Sequence, residues 1–172
     1  MSVYTPDIRT IAIMENERLY NAFQKGEMLM IYPEETLEDG DTRMIGFGHL
    51  IQNDENFDKG LPLRECWNIL ERDYAEALLK VVNHIGVGVF QKLNTSQVFL
   101  LTDFAFNGVL HLFPKFTRAL VNEHYEKAIE EHKRYYTVGG KKKELKRRNE
   151  MTKAILEDLV DQSRFLVQEV IE

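Results

Sequence analysis

The sequence predicts an α+β fold, with a small β-hairpin lobe near the N-terminus and a mostly helical lobe behind it. Three observations carry that expectation. Two short apolar runs, GEMLMIY and RMIGFGHLI, flank the turn-rich segment TLEDGD, which is how a hairpin reads. From residue 61 onward the apolar positions switch to spacings of three and four, the period of helices with one buried side. The composition, with 44% hydrophobic and 29% charged residues in 172, four prolines and ten glycines, is that of one compact domain and excludes collagen-like, low-complexity and disordered chains.

Thr5 followed by Pro6 suits an N-cap and first helical position, and Ile8, Ile11, Leu19, Ala22 and Phe23 give that helix a buried side up to about Gln24. Gly26 ends it, and the hairpin follows. Residues 63–83 keep Trp67, Leu70, Tyr74, Leu78 and Val81 on one stripe. Asn94 and Thr95 offer a cap to SQVFLLTDFAFN, apolar on nearly every side and the best candidate for a core helix. Pro114 opens KFTRALVNEH, YEKAIEEHKRYY follows, and Gly139 with Gly140 break the chain before a final helix from about Lys142 to Val170. We expect one domain over residues 1–172, with an N-terminal helix at 5–24, a hairpin lobe at 26–60 and a helical lobe at 61–172.

Charge and cysteine usage narrow the function classes. The formal charge of −6 argues against global attraction to nucleic acid, anionic lipid or an anionic wall polymer. Cys66 is the one cysteine, so no internal disulfide forms, and no Cys/His set has zinc-ligand spacing. No basic region followed by an apolar run opens the chain and no stretch is apolar enough to span a bilayer, so synthesis and folding in the cytoplasm are expected. The run KKKELKRR at 141–148 has six basic residues against one acidic; it reads as a phosphate or wall-polymer site or as a solvated helix start. His124 and His132, eight apart, read as surface residues.

The segments GEMLMIY, MIGFGHLI, LERDYAEAL, LNTSQVFLLTDFAFN and LKRRNE, in that order, make the sequence resemble the phage-type lysozymes, glycoside hydrolase family 24, over about Phe23 to Ile155. The resemblance implies a two-lobed lysozyme-like fold that binds the glycan strand of peptidoglycan. It pairs His49 with Asp73 as a structural tie between hairpin and helix, and gives Arg148 the place of a late bracing arginine. It also implies substrate contacts at Gly46, Phe47, Phe106 and Asn107. On physical grounds Gly46 and Gly48 around Phe47 mark either a strand twist or a close approach of backbone or sugar, and Asn107 is equally suited to a helix C-cap.

Glycosidic hydrolysis needs a proton donor and a second group that places water or stabilises positive charge. The family's acid precedes the Gly of its EG-x-x-L-x-x-Y segment, and here that position is Lys25, whose ammonium, with an ordinary pKa of about 10.4, is a poor donor. Glu34 stands at the second carboxylate position. Met44 replaces the family's Thr and has no hydroxyl to hold water. Glu27 is an alternative acid by a two-residue slip, and the long turn offers Glu35, Glu38, Asp41 or Thr42 as displaced groups. Phe116 stands where the family tends to have Ser.

The expectation is therefore a lysozyme-like protein whose muramidase activity is lost or strongly altered, retained for binding peptidoglycan or a protein. The alternatives are an active muramidase using Glu34 with Glu27 or Glu35, and a virion or assembly scaffold, suggested by the acidic charge and the long helix ending LVQEVIE. Exit to the periplasm by a holin-type route, or carriage in a virion, follows from the resemblance. No cofactor, metal, nucleic acid or membrane span is expected.

Overall fold

The computed structural model describes residues 6–35 and 42–171, with side chains as far as Leu166. The fold is α+β, with helices joined to small antiparallel sheets. No helix among the described residues is long and apolar enough to cross a membrane. The chain divides into two compact units: one is Pro6–Glu76 with Tyr136–Lys143, the other Ala77–Tyr135 with the segment from Glu144 onward.

The first unit opens with helix α1, Ile8–Gln24. Its cap is Asp7, not Thr5, which lies outside the described residues. The Asp7 side chain accepts from the Arg9 N–H at 2.9 Å, while the Thr10 hydroxyl accepts the Asp7 N–H at 3.3 Å. Two helix-initiating donors are thereby satisfied reciprocally. The helix breaks at Asn16, which is extended at φ −156° and ψ 86°. Asn16 Oδ1 then accepts the Leu19 N–H at 3.1 Å and starts the helix again, as an N-cap does. At the far end Gly26, at φ +70°, donates to Phe23 O and Glu27 donates to Ala22 O, both at 3.0 Å. Those paired bonds through a left-handed glycine form a Schellman closure.

The strands differ from the expected two-strand hairpin. In the GEMLMIY run, β1 (Met30–Ile31) pairs with β5 (Leu61–Pro62). A separate sheet holds β2 (Glu34–Glu35), β3 (Arg43–Ile45) and β4 (His49–Leu50), with Glu34 opposite Met44 and Ile45 opposite His49. RMIGFGHLI is thus a tight hairpin in itself, because Gly46 and Gly48 take φ of +64° and +79° and turn the chain. The expectation that both glycines lie along a strand is corrected by those angles. Phe47, at the tip, is only 2% exposed and meets Trp67 edge-on at 5.7 Å.

Helix α2, Leu63–Ile85, contributes residues to both units. Its most buried seam is Leu63, Cys66, Leu70, Ala77 and Val81, with Trp67, Tyr74 and Leu78 half-buried beside it. Leu70 and Val81 of the predicted stripe therefore lie in the seam itself, and the other three lie on its flank. Trp67 stacks on Phe23 at 4.4 Å and 8°.

In the second unit, α3 (Val87–Phe90) leads to α4, Thr95–Phe106. Asn94 caps α4 as expected, and Gln97 completes a capping box, its amide also donating to Leu120 O at 2.8 Å. Phe99, Leu100, Leu101 and Phe104 are buried, so α4 is the core helix. Pro114 opens α5, Pro114–Val121, where Phe116 stacks on Phe104 at 4.3 Å. Helix α6 is Tyr125–Glu131. Strands β6 (Tyr135–Val138) and β7 (Lys141–Glu144) then form a hairpin whose residues 136–143 belong to the first unit, and α7 runs Lys146–Ile171. The expected helix start at Lys142 is corrected: Gly139 and Gly140, at φ +55° and +73°, make a two-residue hairpin turn, so residues 141–144 are strand.

A buried ionic cluster ties this unit together. The Asp103 carboxylate receives Arg134 at 2.7 Å and Arg148 at 2.9 Å, and both Asp103 and Arg134 are almost fully buried. Arg134 also lies 4.0 Å over the Phe104 ring and donates to Thr152 Oγ1 at 3.0 Å. Burial pushes the Asp103 carboxyl up, but Arg148 and Arg134 outweigh it and hold the group below its usual range.

Candidate functional site

Three of the sequence-predicted catalytic positions line one groove of the first unit. This groove, about 900 Å³ in volume, has Asn16, Glu17, Arg18 and Lys25 from α1 on its lining, and Glu27 and Glu34 from the chain that follows. Lys25 is the exposed C-cap of α1, placed there by the Schellman turn, and Glu27 is exposed just beyond it. Glu34 is exposed on β2, with Met44 half-buried opposite it in register. The groove's charged lining holds three carboxylates against two cations. Of the displaced candidates, Glu35 is exposed on β2, Thr42 is half-buried, and Glu38 and Asp41 lie outside the described residues.

One carboxylate that the sequence reading missed stands at the end of the first α1 segment. Glu15, half-buried, packs its carboxylate against the Cα of Gly48 in the Gly-x-Gly-His turn: a Cβ added to Gly48 would overlap Glu15 Oε2 and come within 3.0 Å of its Cδ. On the other side of the turn, a Cβ at Gly46 would meet Cys66 Cβ at 2.8 Å. Gly46 is therefore needed for close approach as well as for its left-handed angle, while at Gly48 the neighbour is the tip of a flexible side chain and the left-handed angle itself demands glycine. The approaching groups are protein side chains, and Phe47, packed on Trp67, is not open to a ligand. The signal available in the sequence was the polar run at residues 15–18, where the apolar period is interrupted and Asn16 stands three before Leu19.

His49 is bonded on both ring nitrogens. Its Nδ1 faces Asp73 Oδ2 at 2.7 Å, the pair expected from the resemblance, and its Nε2 faces Glu55 Oε2 at 2.8 Å, which was not expected. The Gln52 N–H, donating at 2.9 Å, and then His49 hold the Glu55 carboxyl below its usual value, despite partial burial acting upward. Arg72 lies 3.5 Å from Asp73 and 3.6 Å from Glu55, so two acids and two bases lock β4 and the following turn to α2.

The remaining candidates belong to the second unit, except residues 141–143 of the basic run, which fall in the first. Phe106 is half-buried near the end of α4, and Asn107 is its C-cap through the backbone, donating to Asp103 O at 3.0 Å. The buried Asn107 Oδ1 accepts no hydrogen bond among the described residues, and the same holds for Thr117 Oγ1. Phe116 is core and lines no sugar site. His124 is exposed, but His132 is buried, correcting the surface assignment: its ring packs against the Ile129 carbonyl, and burial pushes its pKa down. In the basic run, Lys141, Lys142 and Lys143 are exposed on β7 and Arg148 is buried on Asp103. No group of His, Cys, Asp and Glu among the described residues is arranged to hold a metal ion.

Compared with family models, curated proteins and solved structures, the chain has no match in any of the three.

Proposed function

We propose that the chain is a lysozyme-like glycoside hydrolase with an altered catalytic set, acting on the glycan strand of peptidoglycan, with Glu15 as proton donor and Glu34 as the second carboxylate. The observation that carries this reading is the Glu15 carboxylate lying against Gly48, one residue before His49, in a turn fixed by the hydrogen bonds of His49 to Asp73 and Glu55. Lys25, exposed at a helix cap, is no donor for a leaving oxygen. Glu15 is half-buried, and its neighbour Asn16 lines the groove that also holds Glu34. Because the thioether of Met44 cannot order a water, Glu34 has to act directly, either as base toward water or as a charge facing the developing oxocarbenium ion.

The test is release of reducing ends from purified Gram-negative peptidoglycan. The wild type is expected to release them, and Glu15→Gln to lower the rate by about 10²–10⁴-fold at unchanged melting temperature, with Lys25→Ala close to wild type. Undiminished release by Glu15→Gln would sink the assignment. Met44 and Lys25 favour a second reading, a protein that binds the glycan without cleaving it. Its signature is a wild type that sediments with peptidoglycan, releases nothing, and gains activity in Lys25→Glu.

A further inference from the structure

A second groove in the first unit, of about 940 Å³, has a different chemistry. Its apolar lining includes Phe23, Met28, Leu29, Met30, Pro62 and Trp67. Met28 is 100% exposed and Met30 50%, an unusual state for two large apolar side chains so close together. The rim carries Glu27, Glu65 and Glu71, with Arg64 as the one base among the lining residues.

The indole N–H and the side-chain amide here are already engaged. Trp67 Nε1 donates to Glu71 at 3.0 Å, the Asn68 amide donates to Glu65 at 3.3 Å, and one face of the indole is covered by Phe23. A sugar needs such amides and a free aromatic face, so the groove is poorly suited to glycan. Methionines are unbranched and polarizable, and they repack around an incoming apolar ridge. An apolar floor with an acidic rim complements one kind of object, an amphipathic helix whose apolar ridge is flanked by Lys or Arg.

We propose that this groove, which shares Glu27, Leu29 and Met30 with the first one, docks a basic amphipathic helix of a partner protein. Trp67 is the one tryptophan in the chain, so its emission reports on the groove directly. The probe is a tryptophan-free synthetic helix of leucine and lysine, with leucines at i, i+3, i+4 and i+7, titrated into the intact protein.

A saturable change in Trp67 emission is expected, weakened about tenfold, or 1.4 kcal/mol, by Met28→Glu combined with Met30→Glu. Charge reversal at the rim by Glu65→Lys should also weaken it, and added salt should do so as well. Met28 is wholly exposed, so the single variant Met28→Glu keeps the test valid where the double variant fails to fold. Equal binding of a scrambled peptide of the same composition, equal binding of a peptide with glutamate for lysine, or indifference to Met28→Glu would overturn the proposal. So would an equal response to oligomers of N-acetylglucosamine, or concentration-dependent dimers in sedimentation that compete with the peptide.

Discussion

Replacing Asp103 by asparagine tests the account of the second unit most severely. Asp103 is 0% exposed and is the shared counter-ion of Arg134 and Arg148, which reach it at 2.7 and 2.9 Å. Removing one member of a buried ion pair leaves the other charge uncompensated and costs about 3–5 kcal/mol. For a chain of this length each kcal/mol moves the melting temperature by about 2–4 °C, so Asp103→Asn should lower it by roughly 6–20 °C at neutral pH. Far-UV circular dichroism at 222 nm follows the loss. The acid limb adds a second reading. The folded Asp103 carboxyl is held below its ordinary 3.8, so the unfolded chain binds the proton first as pH falls. Its stabilising contribution is complete above that ordinary value and is lost as pH drops through the folded carboxyl's lower one. Asp103→Asn should lack this component and show a flatter acid limb. A loss under about 1 kcal/mol, with an unchanged acid limb, would refute the claim that this carboxylate holds the unit together. Replacing all three members by apolar residues of similar volume should cost far less than Asp103→Asn alone.

Three further outcomes follow from the first unit. Gly48→Ala meets both a left-handed φ and the Glu15 carboxylate, so it should cost at least about 1–2 kcal/mol in urea unfolding and lower any peptidoglycan release along with it. Glu55→Ala removes the bond to His49 Nε2, a charged hydrogen bond of about 1.5–3 kcal/mol, and an unaltered denaturation midpoint would show that Asp73 alone suffices. Burial pushes the Cys66 thiol up to about 11, so at pH 8 the native protein should resist a disulfide reagent that labels it at once when unfolded; rapid native labelling would contradict the packing behind Gly46.

The parts legible in the sequence are those whose signals are local. Helix α4 could be read from Asn94 as a cap and an apolar run with no polar side, and both do in the fold what local chemistry asks of them, with Gln97 completing the cap. The residues at 46–48 were misread because Phe47 continues an apolar run, while the turn depends on two positive φ angles and on the room left by Cys66 and Glu15. Residues 141–144 were misread because lysines suit a helix start, and only the pairing with β6 across Gly139 and Gly140 makes them strand. The candidate site was half legible. The family resemblance named Glu34 and Lys25 as candidates and paired His49 with Asp73, a contact the fold contains, yet Glu15 and Glu55 owe their places to contacts with residues far along the chain or to turns that no periodicity records.

The break at Asn16 has a bearing on how such a chain can change. Because Asn16 starts the second segment of α1 and the Gly26 closure finishes it, residues 17–24 form a module with its own start and stop. Whole turns can be added to or removed from that module while Ile8–Glu15 keeps its own Asp7 cap and its grip on Gly48. The groove wall and the Glu15 carboxylate can therefore diversify separately, since a change of length in one leaves the cap and the glycine contact of the other in place.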